Sequence, residues 1–109
     1  LKVTLSPKAR DYVKREAAYL RSNSQRAAQQ FLDDFKRLRL GLSGFPEMGK
    51  FNEELPVPGV LRFVMGSYLV DYEIVTGEVL IFAIRHRRER PPQFELDGDF
   101  NLEESSSES

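Results

Sequence analysis

The residues with most to offer chemically lie close together, as Arg85, His86, Arg87, Arg88 and Arg90. His86 is the only histidine. An ordinary imidazole changes charge near neutrality, so it is the side chain in this group suited to moving a proton. The arginines carry permanent charge on planar donor forks that seek anions. Four of them within six residues repel one another unless an anion offsets them. One histidine and no cysteine give no metal-ligand set. No glycine-rich phosphate loop is present either, so neither a metal nor a cofactor is expected.

This cluster is delivered by a hairpin. From Tyr68 to Ile74 the apolar residues Tyr68, Val70, Tyr72 and Ile74 share one parity, and Asp71 and Glu73 take the other. That period of two marks a half-buried strand. Val75-Thr76-Gly77-Glu78 supplies a tight turn, with Gly77 free to take positive φ. Val79 to Ile84 is apolar on both parities, which predicts a central strand covered on both faces. Its exit is cationic, so the hairpin is a rigid platform holding out an anion-seeking patch.

The rest of the chain builds that platform. Val3 and Leu5 alternate with Lys2 and Thr4, a short first strand. Ser6-Pro7 then reads as an N-cap followed by proline at the first helical position. Ala9, Tyr12, Val13, Glu16, Ala17 and Leu20 keep a spacing of three and four with only Glu16 polar, predicting a helix over Pro7–Arg21. Ser22-Asn23-Ser24 breaks it and offers Ser24 as the next cap. A second apolar stripe runs through Ala27, Ala28, Phe31, Leu32, Phe35, Leu38 and Leu42. Gly41 and Gly44 are expected to fray its end, and Pro46 to stop it. The two helices form an antiparallel hairpin whose remaining apolar face must lie on the sheet. A Pro- and Gly-rich loop follows, with a short strand near Lys50–Glu53, and Val60–Met65 is the next strand. The expected fold is α+β, in the order β-α-α-β-β-β, with a helix hairpin on a small, mostly antiparallel sheet ending in a three-strand meander.

At 109 residues, 1–92 form one domain and 93–109 an acidic, serine-rich tail. After Pro91-Pro92 the chain loses its periodicity, and Glu103–Ser109 reads as disordered when unbound. All 16 Lys and Arg precede residue 91, whereas six of the 17 acidic residues lie from Glu95 onward. The formal charge of −1 therefore hides a basic body and an acidic tail. A basic body calls for an anionic partner, nucleic acid or an acidic protein segment. The absence of cysteine allows a reducing compartment. With no signal peptide and no apolar run of membrane length, the cytoplasm is the expected location.

The ordered set of motifs carries a resemblance over Leu1 to Arg90. It comprises Leu5-Ser6-Pro7-x-Ala9, Phe35 to Leu42-x-x-x-Pro46-x-x-Gly49, and Gly59-x-x-Arg62. It continues with Gly66-x-Tyr68-Leu69-Val70-x-Tyr72 and Val79-x-Ile81-x-x-Ile84-x-His86-x-Arg88. Together they resemble the ParE/RelE superfamily of toxins from bacterial type II toxin–antitoxin pairs. The resemblance implies one of two activities. RelE-like members are ribosome-dependent mRNA endonucleases, and ParE-like members poison DNA gyrase without cutting RNA. Both are held inactive by an antitoxin, here a ParD-like one, in a heteromeric complex. The residues expected to meet it are Tyr12, Leu20, Phe31, Arg62 and Tyr68. Its binding segment is expected to carry apolar anchors at helical or strand spacing with Asp or Glu between them.

Metal-free RNA cleavage would need a base for the 2′-OH, an acid for the leaving oxygen and a cation on the phosphate. The candidates are Glu53 or Glu54 as base, His86 as acid, and Arg62, Arg85 or Arg87 as clamp. The plainer reading is preferred: His86 ends a strand, its ring against the helix hairpin or hydrogen-bonded to the loop. Arg62 likewise forms an ion pair with Glu53, Glu54 or Asp71. Departures from the nuclease pattern agree, since Leu69 stands where such nucleases usually carry Arg. Arg87 and Arg88 stand where they often place His or Tyr. The reading adopted is thus ParE-like, with no catalytic residue, and with Arg85, His86, Arg87, Arg88 and Arg90 meeting the target. The cluster's anion is alternatively the protein's own tail.

Overall fold

The computed structural model describes residues 1–51 and 57–88. Glu53, Glu54, Arg90 and the tail 93–109 lie outside the described residues, as does the end of the short strand expected at Lys50–Glu53.

The first strand, β1 (Lys2–Leu5), leads directly into α1 (Pro7–Asn23) through Ser6. The Ser6 Oγ accepts from the Ala9 N–H at 3.1 Å, satisfying one of the orphan donors of the first turn. The Ser6 N–H donates to the Ile81 carbonyl at 2.9 Å, so the same residue pins the helix start to the sheet.

Helix α1 runs two residues beyond Arg21, and only Ser24 separates it from α2 (Gln25–Gly44). Ser22 and Asn23 do not break the helix. Their side chains donate to the Tyr19 carbonyl at 2.6 and 3.3 Å, satisfying a terminal acceptor from within the last turn. Ser24 then works on both helices. Its N–H donates to the Leu20 carbonyl at 2.7 Å, and its Oγ accepts from the Ala27 N–H at 3.1 Å. Gly41 and Gly44 likewise stay helical. The Met48 side chain packs against Gly41, and the Phe45 N–H closes the helix on the Gly41 carbonyl at 2.7 Å.

Four further strands follow: β2 (Lys50–Phe51), β3 (Val60–Met65), β4 (Tyr68–Val75) and β5 (Glu78–His86). The sheet order is β1-β5-β4-β3-β2, with β1 parallel to β5 and every other pair antiparallel. The fold is therefore the α+β arrangement read from the sequence, with β5 inside the sheet. The β4–β5 turn has positive φ at both Thr76 (46°) and Gly77 (75°), the primed geometry that matches strand twist.

Both helices pack on one face. Phe31, Phe35, Leu38 and Leu42 of α2 and Ala9 and Ala17 of α1 meet Met65, Val70, Tyr72, Val79, Ile81 and Ile84. The expectation that β5 is covered on both faces is corrected here. Tyr72 pairs with Ile81 but Asp71 pairs with Ala83, so Phe82 is an extra residue in a β-bulge. Val79 and Ile81 face the helices before the bulge, and Ile84 and His86 face them after it. Leu80 and Phe82 face the other way and are only half-buried. Apolar residues on both parities thus reflect a change of parity, with the helices of the described residues on one face.

Candidate functional site

At the end of β5 the chain places its cationic residues on different sides of the sheet. His86 is the register partner of Tyr68, and its ring meets the Tyr68 ring edge-on at 5.2 Å. Tyr68 in turn lies 4.8 Å from Phe31, and its hydroxyl donates to the Glu16 carboxylate at 2.5 Å. This stack ties β4 and β5 to both helices. His86 Nδ1 accepts from the Arg88 N–H at 3.1 Å, which ties the ring to the turn that follows the strand. The Arg87 N–H donates to the Ser67 carbonyl at 2.8 Å, so Arg87 and Arg88 sit in a defined, exposed turn.

Arg62 is elsewhere. It pairs with Asp71 across β3 and β4, and Asp71 has the opposite parity to Tyr68. Its Nε and Nη2 lie 2.6 and 3.0 Å from Oδ1 and Oδ2 of Asp71, a two-pronged ion pair. Only 12% and 7% of the two side chains are exposed. Arg62 therefore faces away from the helices, whereas His86 faces them. Arg85, in register with Leu69, falls on the Arg62 side. Among the described residues no group of three potential metal ligands occurs. His86 and Arg62 thus face opposite sides of the sheet, and Glu53 lies outside the described residues.

Of the residues expected to meet a protein partner, Tyr12, Leu20 and Tyr68 are half-buried and pack on the edge of the core. The Arg15 guanidinium lies 6.0 Å over the Tyr12 ring. Phe31 is 3% exposed, so it supports this region from beneath. Glu16 is a residue to which the sequence assigns no role. It stands as the polar break in an apolar stripe, and the tertiary structure shows why: it meets the Tyr68 hydroxyl.

The fold and these groups define a small α+β domain with a helix hairpin on one face of its sheet and a basic strand exit. Residues 3–91 match the family described as "ParE toxin of type II toxin-antitoxin system, parDE", and the chain belongs to that family. Among solved structures, a chain of the "Chromosomal ParDE TA system from P. aeruginosa" superposes with a TM-score of 0.63. It shares 16% identity, over 79% of this chain and 95% of that one. At that identity the likeness is one of fold. No curated protein sequence matches the chain. Among the described residues no helix is long and apolar enough to cross a membrane.

Proposed function

We propose that this toxin inhibits DNA gyrase and blocks replication by binding alone, in the cytoplasm, and that a cognate ParD-like antitoxin neutralises it. The observation that carries the reading is the separation of Arg62 from His86. A phosphate clamp must touch the group whose leaving oxygen the acid protonates, and these two residues face opposite sides of one sheet. Arg62 is also engaged by a carboxylate that would repel phosphate. The exposed Arg87 and Arg88 are suited instead to an interface, where cations contribute through their field and through desolvated contacts. The antitoxin is read as an acidic, apolar-anchored segment meeting Tyr12, Leu20 and Tyr68, supported by the basic body and by the family's pairing.

The test compares His86→Ala with the pair Arg87→Glu and Arg88→Glu, each confirmed as folded by circular dichroism. Growth, labelled thymidine and labelled amino acid incorporation are followed on induction, beside supercoiling by purified gyrase. The expected result is near-intact toxicity for His86→Ala, loss in the charge-reversed pair, and replication stopping before translation. A general acid contributes about 10²–10⁴ in rate. Loss of toxicity in folded His86→Ala, with translation stopping first, replaces this reading with ribosome-dependent mRNA cleavage.

A further inference from the structure

Among the described residues both helices pack on one face of the sheet, and the opposite face carries none. On that face β5 presents, in order, Glu78, Leu80, Phe82 with Ala83 at the bulge, and Arg85. Beside them β4 presents Val75, Glu73, Asp71 and Leu69. Register adds Arg62 on β3, with Lys2 next to Glu78 and Lys50 next to Arg62 on the two edge strands. Arg62 and Asp71 are bound to each other and little exposed. Glu78 and Val75 are exposed, and Leu69, Glu73, Leu80, Phe82 and Arg85 are half-buried.

Along β5 this face reads acid, apolar, apolar, base. A strand of that kind complements itself when turned end for end. A two-fold axis lying across β5 between Leu80 and Phe82 does this, because it reverses strand direction and turns the two faces together. Glu78 then lies over Arg85 of the second copy, and Leu80 lies over its Phe82 and Ala83. On β4 the same axis sets Val75 over Leu69 of the second copy. Glu73 lies over the Arg62–Asp71 pair, whose carboxylate is already neutralised by its own arginine. Lys2 and Lys50 stand on the edge strands, outside this overlap of β4 and β5.

We propose that the protein self-associates through this face, two sheets packing face to face with β5 antiparallel to β5 of a second copy. Such aligned packing is a standard way for two sheets to bury their inner faces. Leu80 and Phe82 line an open cavity of about 310 Å³ with Val57, Val60 and Glu73, and the two-fold sets this hollow opposite Phe82 and Ala83 of the second copy. The central strands, about 4.8 Å apart and about 30 Å long, offer on the order of 500 Å² a side. That is the low end of specific interfaces, so the dimer forms with rising concentration. The opposed charges at the two ends fix its register, since sliding or reversing one copy sets Arg85 against Arg85 or Glu78 against Glu78. Arg85 has five donors, enough to serve an acceptor in its own chain and one in the copy. The helices lie on the outside of this dimer, so their face stays accessible to another protein.

Sedimentation equilibrium of the full-length protein over a series of concentrations should show monomer and dimer in exchange. Arg85→Glu and Glu78→Arg, each confirmed as folded by circular dichroism, should each weaken the dimer about 10- to 100-fold, since like charges then meet twice across the two-fold. Mixed together, the two variants should associate with each other, because both contacts again join opposite charges. A chain carrying both substitutions should self-associate like the natural one. Within one chain the two positions lie about 20 Å apart along β5, so no intrachain contact accounts for such a rescue. A monomer at every concentration would leave the face to a different occupant. A dimer insensitive to both variants would place the interface elsewhere, and loss without rescue on mixing would make the effect one of folding or net charge. Each of these three outcomes overturns the proposal. No arm of the test involves gyrase or an antitoxin, so it stands apart from the function proposed above.

Discussion

Arg62 and Asp71 face each other across β3 and β4, with Nε 2.6 Å from Oδ1 and little of either side chain exposed. A buried pair of this kind contributes little net stability when complete, because desolvation offsets attraction. Removing one partner leaves the other charged and buried. Arg62→Ala or Asp71→Ala should each cost about 3–5 kcal/mol in urea denaturation. The double variant Arg62→Met with Asp71→Leu should recover most of the loss. Single variants with the wild-type midpoint would show that the pair is solvated.

Phe35 is 5% exposed at the centre of the α2 face that meets the sheet. Phe35→Ala should cost about 3–5 kcal/mol, the sum of lost transfer energy and a cavity. For a domain this small that is a large share of total stability. The measurement is the thermal or urea midpoint.

Tyr72 holds the loop after α2 to the sheet. Its hydroxyl donates to the Pro46 carbonyl at 2.7 Å and accepts from the Gly49 N–H at 2.8 Å. Burial pushes its pKa above the ordinary 10.0; the Gly49 hydrogen bond opposes this and Glu47 adds to it. As pH rises, the unfolded chain loses this proton before the folded chain does. The contribution to stability is therefore fully present below pH 10.0 and is lost as pH climbs through the higher folded value. Tyr72→Phe should flatten this alkaline decline. It should also cost about 1–3 kcal/mol at neutral pH, since two loop groups lose their partner.

Gly49 sits close under that hydroxyl. A Cβ there would lie 2.7 Å from Tyr72 Oη and 3.0 Å from the Arg62 carbonyl. Because one obstacle is backbone, Gly49→Ala should cost about 1–3 kcal/mol through forced displacement. In combination with Tyr72→Phe the cost should shrink, because the nearest atom is gone. Strictly additive losses would place the strain elsewhere.

Ser24 is the whole link between the helices, and its Oγ satisfies the Ala27 N–H. Ser24→Ala should cost about 0.5–2 kcal/mol. Ser24→Asn, which keeps an acceptor at the cap, should restore most of it, with melting temperature as the readout.

What the sequence determined by itself is the set of elements and their order. Ser6-Pro7 and Ser24 mark helix starts because a hydroxyl acceptor at an N-cap is a local device. The stripe from Ala28 to Leu42 and the alternation from Tyr68 to Ile74 are periods that only a helix and a strand turn into one apolar face. The grouping of the charged residues was not determined there. Within β5, Val79 and Ile81 have odd numbers and His86 an even one, so an unbroken strand would set His86 beside Leu80, facing away from the helices. That is the side occupied by Arg62. The bulge at Phe82 inserts one residue and inverts the parity, turning His86 to Tyr68 and leaving Arg62 to Asp71. A bulge depends on how two strands pair across the sheet, so no local period encodes it. Only the tertiary structure decided that these two residues do not share a site.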